Sequence, residues 1–368
     1  MRSLSRLLLA AAVGAAVAAA PAAPALANPA CGSTITASIT LTADLTCAGD
    51  ALIVGAAGIT VDLGGYTIIG NGTGTAVRSS SANDVTVANG GISGFALGFY
   101  GFSSKRQTLS GLTIQGGTAI RLLNAQDSTV LATTVTGAQV QVQQTTGVTL
   151  SGVTLDHAPL AAFEANSLTV TLSGLTDGAV SIGESNSVRL TQSTFTRAPI
   201  TYSAVSKDIL IQDNTIQGAT EGVRIDTTGT GGRILGNDFT GNRIGVRTKV
   251  NDLATISGTV ISGNTFTANT AAGVLFEATT VTGAPTASVS GNTFDANGSA
   301  GGVTDRLARP VADGAHFATP TGAAITVAGN ITLHNAAYGI FADPSTVIDG
   351  GGNDSTADPL GCSGVVCT

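Results

Sequence analysis

One phrase returns along this chain from about residue 50 onward: a short β-branched run, a turn of Gly, Asn or Asp, then a second short run. It reads as ITVDLGGYTIIG (59–70), VTVANGGISGF (85–95), TLSGLTIQGG (108–117), GVTLSGVTLD (147–156), SVRLTQSTFT (187–196), DILIQDNTIQG (208–218), GRILGNDFTGN (232–242), TVISGNTFTAN (259–269) and ASVSGNTFDAN (287–297). One inward apolar residue per phrase gives Val85, Leu109, Val130, Val148, Leu168, Val188, Ile209, Ile234, Val260 and Val289, spaced by 18 to 29 residues. A period near two dozen with variable loops marks a solenoid, whose units bury their apolar faces only against their neighbours. Leucine-rich repeats need a Leu and Asn framework that is missing, and helical repeats would show a 3.6-residue stripe. Composition agrees: 49 of 368 residues are Gly, which weakens helices, and only 11% are charged, which argues against general disorder. The expected fold is all-β, a single-stranded parallel β-helix of about 11–13 coils, right-handed by the rule for parallel connections.

Inside the repeat, Asn214, Asn237, Asn264, Asn292 and Asn330 occupy equivalent places, and Asn242, Asn269 and Asn297 recur three residues past Phe239, Phe266 and Phe294. Asn tolerates left-handed backbone and caps its own turn, so these rows are expected to be structural. The three phenylalanines are expected to stack internally rather than serve as platforms for a ligand.

Residues 1–27 carry Arg2 and Arg6, an apolar Ala-rich run and the small-residue ending ALA, the pattern of a secretory signal peptide cleaved after Ala27. The mature domain is then 28–368, and its location extracellular. Its four cysteines, Cys31, Cys47, Cys362 and Cys367, sit only at the two ends. In an exported protein that suggests disulfides, with the local pairings Cys31–Cys47 and Cys362–Cys367 expected if the ends are far apart. Without Arg2 and Arg6 the net charge of −7 becomes −9, with no basic block, which excludes nucleic acid as a partner. No later segment is apolar and long enough to span a membrane, and a monomer is expected.

The chain resembles secreted, actinobacterial-style right-handed parallel β-helix proteins. The opening CGSTITASITLTADLTCAGDALIVGAAGITVDLGGYTIIG (31–70) and the ending AAYGIFADPSTVIDGGGNDSTADPLGCSGVVC (336–367) carry the likeness. Pectate lyases, chondroitinase-like lyases, polygalacturonases and mannuronan epimerases share that architecture, so the resemblance implies a polysaccharide partner and is specific for fold rather than activity.

Registering TAIRLLN (118–124), AQVQVQQ (138–144), GAVSIGE (178–184), EGVRIDT (221–227), RIGVRTKV (243–250), AAGVLFEA (271–278) and AYGIFAD (337–343) on their central Val or Ile predicts an outward column. It reads Arg121, Gln141, Ser181, Arg224, Arg247, Leu275 and Phe341, and two positions on come Asp226, Lys249, Glu277 and Asp343. Arg224, Asp226, Arg247, Lys249 and Glu277 are the candidate catalytic residues. A lyase or epimerase acting on a uronate polymer needs cations for the carboxylate and a base for the C5 proton. A hydrolase needs two carboxylates, for which Asp226 and Glu277 qualify. Ordinary surface pairing of opposite charges is the plainest alternative, and a non-catalytic module that binds wall or matrix glycans is another.

A secondary candidate lies in the longest departure from the repeat, GGVTDRLARPVADGAHFATPTG (301–322), read as an inserted loop with Asp305, Arg306, Arg309, Asp313 and a solvated His316. His157 follows Asp156 directly; neighbours in a strand point opposite ways, so no pair is expected there. His334 has no evident partner. The segment GFALGFYGFSSKR (94–106), with Phe95, Phe99, Tyr100 and Phe102, is read as a loop that covers an end or side of the coil, with stacking on a sugar as the alternative. No cofactor motif is present; Asp349, Asp354 and Asp358 raise calcium, against the simpler reading of a polar turn.

Overall fold

The computed structural model describes residues 28–368 apart from 204, 227, 228 and 284, so the expected leader over 1–27 lies outside the described residues. Fifteen strands form one continuous sheet in chain order, from Ser33–Ile35 through Cys362–Ser363. Neighbouring strands are parallel and in register; Val140, Leu160, Val180, Ile200, Val223, Val246, Val274, Ala315 and Ile340 form one inward column. Between successive members the chain makes two shorter strands and returns, as in Arg189–Thr191 and Thr194–Thr196. This is the right-handed parallel β-helix, with about fifteen turns rather than the expected 11–13. The difference lies largely at the ends, where Ser33–Ile35, Leu52–Val54 and Cys362–Ser363 form rungs without the repeated phrase.

The alternating small apolar residues explain the packing. Inward Val, Ile and Leu are essentially fully buried, and each coil stacks on the next about 4.8 Å away. Phe239, Phe266 and Phe294 stack as expected, with centroids 4.7 and 4.9 Å apart and planes within 9°. The asparagines also form ladders, but they are not the left-handed residues. Positive φ belongs to the residue before each, Asp213, Gly236, Gly263, Gly291 and Gly329, while the Asn side chains turn inward and are buried. In each, the backbone N–H and Nδ2 donate to the Oδ1 of the next coil's Asn: Asn237 to Asn264 at 2.9 and 3.0 Å, with a further Nδ2 bond to Ile211 O at 2.9 Å. The second ladder, Asn242, Asn269, Asn297 and Asn335, ends on Asp358, whose Oδ1 accepts from Asn335 N at 2.7 Å and Nδ2 at 2.9 Å. Buried amides fully satisfied in this way cost nothing in orphaned polar groups.

The ends are closed by Cys31–Cys47 and Cys362–Cys367, the local pairings. The segment around Phe99 is not a loop: Leu97–Phe102 is a rung of the main sheet, with Phe95 and Phe99 in the core and Tyr100 and Phe102 facing outward. Among the described residues no helix is long and apolar enough to cross a membrane.

Candidate functional site

The outward column of the main sheet forms as predicted, but it is longer, and Arg78, Tyr100, Ala161, Thr201 and His316 are new members. Register places Arg78, Tyr100, Arg121, Gln141, Ala161, Ser181, Thr201, Arg224, Arg247, Leu275, His316 and Phe341 on successive rungs. His316 belongs to the strand Asp313–Ala318, so the insertion is shorter than expected and ends before that strand. The signal that identifies this rung is a glycine three residues before an inward residue: Gly273-Val-Leu-Phe276 is matched by Gly314-Ala-His-Phe317. A Cβ on Gly273 would stand 2.8 Å from Gly314 O, and one on Gly314 would stand 2.5 Å from Gly339 O, so the close coil contact requires glycine there.

The five candidate residues come together on three adjacent rungs. Asp226, Lys249 and Glu277 are direct register partners, with Lys249 in the middle. Arg247 is gripped from both sides, by Glu277 at 2.9 Å and by Glu221 at 2.9 Å. Glu221 was missed because Gly222 and Val223 are both buried, which sets Glu221 outside the simple alternation. Burial works against the Arg247 charge, but the Glu221 and Glu277 carboxylates outweigh it and hold the guanidinium more firmly protonated than usual. Arg224 bonds Asp226 at 2.9 Å and lies 3.5 Å from Glu221.

Over these rungs folds the insertion, roughly residues 298–312. Its Val303 and Val311 pack on Ile244, Ala272 and Leu275, so Leu275 faces outward yet is fully covered. Asp305 ties the insertion to the sheet. His316 is buried rather than solvated: Nδ1 faces Asp313 at 2.6 Å, Nε2 faces Asp305 at 3.1 Å, and the ring stacks on Phe341 at 4.7 Å. Burial alone would raise the Asp305 carboxyl, but bonds from the Arg309 backbone N–H, His316, the Arg309 side chain and the Leu307 backbone N–H hold it below the ordinary carboxylate range. Arg309 also pairs with Asp343 at 2.5 Å.

Between insertion and sheet lies a pocket of about 290 Å³ lined by Arg247, Lys249, Asn251, Glu277, Thr304, Asp305 and Arg306, among others. Among the described residues Lys249 has no carboxylate within ion-pair distance; Arg306 bonds only the carbonyl of Ala318, at 2.5 Å. His316 does not line this pocket. A larger hollow, about 490 Å³ over Gly65, Gly90, Gly91 and Gly111, has no charged side chain in its lining.

The other histidines depart from expectation. His157 pairs with Asp156 at 2.8 Å because its φ of 50° breaks the strand alternation, and His334 meets Asp295 at 3.1 Å. Two of the three calcium candidates are used elsewhere: Asp358 ends a ladder, and Asp349 accepts from the backbone of Gly351 and Val366; Asp354 accepts from the Thr356 hydroxyl at 3.3 Å.

A family model described as the right handed beta helix region matches residues 140–317. No curated protein matches the sequence. Among solved structures the chain is similar to a variant of a periplasmic alginate epimerase, at 10% identity over 86% of this chain and 76% of that one, TM-score 0.47. It is also similar to the A-module of a mannuronan C-5 epimerase from Azotobacter vinelandii, at 13% identity over 91% and 88%, TM-score 0.44. A third is the Dettilon tailspike protein, at 15% identity over 89% and 61%, TM-score 0.39.

Proposed function

We propose that this is an exported polysaccharide-binding β-helix whose pocket beside Lys249 takes the carboxylate of a uronate residue. One observation carries the reading: Lys249 and Arg306 line the pocket without a carboxylate of their own, whereas Arg224, Arg247 and Arg309 are already paired. An anion entering there gains two charge-assisted contacts without breaking an internal pair. The terminal disulfides fit an oxidising compartment outside the cytoplasm.

A second reading, elimination or epimerisation at C5, is favoured by the place of Lys249 between Asp226 and Glu277. A base of this row takes the C5 proton while Lys249 and Arg306 hold the carboxylate into which the electron pair spreads. The 4-oxygen then leaves, or a proton returns on the other face. Hydrolysis has less support, since Asp226 and Glu277 are each bonded to an arginine.

The test is titration calorimetry with alginate, polygalacturonate and hyaluronan against neutral laminarin, with ultraviolet absorbance followed for unsaturated uronate. Uronate polymers should bind and laminarin should not, and Lys249→Gln or Arg306→Gln should each weaken binding by roughly tenfold or more. Equal binding of laminarin, or undiminished binding by Lys249→Gln, would sink the reading. Growth of absorbance that stops in Lys249→Gln would add the second.

A further inference from the structure

The main sheet carries a second group of outward side chains that the pocket does not use. Four rungs before Lys249 and in its column stands Phe163, 41% exposed. Its ring lies against Gly183 of the next coil, where a Cβ would stand 3.3 Å from a ring carbon. A ring resting on glycine turns its other face to solvent. Three rungs before Phe163 the column holds Phe102, stacked with Tyr100 at 6.0 Å and 20°. Beside that pair is Arg121, whose guanidinium carbon lies 5.8 Å from the Tyr100 centroid. Arg121 bonds the amide of Gln143 at 3.4 Å and meets no carboxylate within ion-pair distance among the described residues.

One exposed aromatic on a surface needs no explanation. Here, however, Phe102 and Phe163 share the column of Lys249, and Tyr100 stands in the neighbouring column next to Arg121, which meets no carboxylate among the described residues. Ser181 and Gly183, then Thr201 and Ser203, keep the next two rungs low, so nothing tall interrupts the path beyond Phe163 toward the pocket.

We propose that Phe163, Tyr100, Phe102 and Arg121 form an auxiliary sugar-binding surface for the same anionic polymer, held parallel to the solenoid axis. The proposal rests on the reading of the Lys249 pocket and deepens it by assigning a long linear chain, rather than a short oligosaccharide, as the ligand. At about 4.8 Å per rung, Phe163 is about 19 Å and Phe102 about 34 Å from Lys249 along the axis. The apolar C–H face of a sugar ring packs on the exposed face of Phe163, and a carboxylate of the polymer meets Arg121. Each contact is weak alone and gains from being on the same chain as the pocket contact.

The test compares polygalacturonate and alginate, each as polymer and as trisaccharide, against the parent protein, Phe163→Ala, Phe163→Trp, Arg121→Gln and Lys249→Gln by titration calorimetry. Circular dichroism melts confirm that every variant folds. The expected result is that Phe163→Ala and Arg121→Gln weaken the polymer roughly 3- to 10-fold and leave the trisaccharide unchanged, while Phe163→Trp restores polymer binding. Polymer binding untouched by Phe163→Ala and Arg121→Gln, or a parent that binds trisaccharide as tightly as polymer, overturns the auxiliary surface. If Lys249→Gln weakens both ligands in that case, the pocket reading stands alone. Loss in Phe163→Ala with none in Lys249→Gln instead keeps the surface and removes the pocket. If neither polymer binds the parent, both are overturned.

Discussion

The coils between about residues 118 and 217 and those between 218 and 343 solve the same problem differently. In the first group the inward column advances in even steps, Val140, Leu160, Val180, Ile200. Its buried turn position is occupied by Thr133, Val153, Ser173 and Ser193, and each hydroxyl bonds a carbonyl two residues back, as Ser173 does to Thr171 O at 2.7 Å. From Asn214 onward the same position holds an amide, and the coils lengthen from Val223 to Val246, Val274 and Ala315. Each serine hydroxyl also accepts a backbone N–H from the coil before it, Ser173 from Val153 at 3.3 Å and Ser193 from Ser173 at 3.1 Å, and the amides add an Nδ2 bond to the next coil, so the longer coils are the more cooperative. The charged cluster and the insertion sit on the cooperative half.

Substitutions made in matched pairs would break or sharpen this contrast. The largest effect should come from Phe266→Ala, which empties the middle of the phenylalanine stack and should cost roughly 3–5 kcal/mol. Its counterpart in the even coils, Leu175→Ala, should cost toward the low end of roughly 2–5 kcal/mol, both read from denaturant midpoints. Next, Asn264→Ala orphans the backbone N–H of Asn237 and removes one of its Nδ2 bonds, and should cost roughly 2–4 kcal/mol, against about 1 kcal/mol for Ser173→Ala. Equal losses would remove the distinction between the halves.

The insertion should respond to pH. The Asp305 carboxyl is held below its unfolded value, so its contribution is complete near neutrality and is lost as pH falls through the folded value, below the ordinary 3.8. Hydrogen exchange at Val303 and Val311 should stay slow down to about pH 4 and quicken below it. Asp305→Asn should exchange quickly at every pH, and a flat profile in the parent would refute the tie. The smallest effect belongs to Tyr202, at the boundary between the halves. Its buried hydroxyl has no partner among the described residues, occupies the space left by Gly232, and is pushed strongly upward in pKa by burial. Tyr202→Phe should therefore raise stability by up to about 1 kcal/mol in the same denaturation series.

The fold was legible because the period, the β-branched runs and the Phe and Asn rows all follow from one local repeat. The outward column from Arg121 to Phe341 was legible for the same reason: register in a β-helix is set by the inward residue beside it. His316 was not, because the insertion of about residues 298–312 separates its strand from the phrase that should precede it, leaving only the glycine at 314 as a marker. Likewise Glu221 and the burial of Leu275 depend on a break in the alternation at Gly222 and on a distant segment folding back, which no local pattern encodes.

The carboxylate that ends the second ladder inverts the role of every side chain before it. Every asparagine in that row passes two donors forward and so demands an acceptor from the coil that follows. Asp358 takes the pair from Asn335 on one oxygen, receives Thr332 and Ser355 hydroxyls at 2.6 and 2.7 Å on the other, and its side chain hands no proton onward. Among the described residues, the row thus closes on a side chain that accepts four bonds and offers no donor of its own.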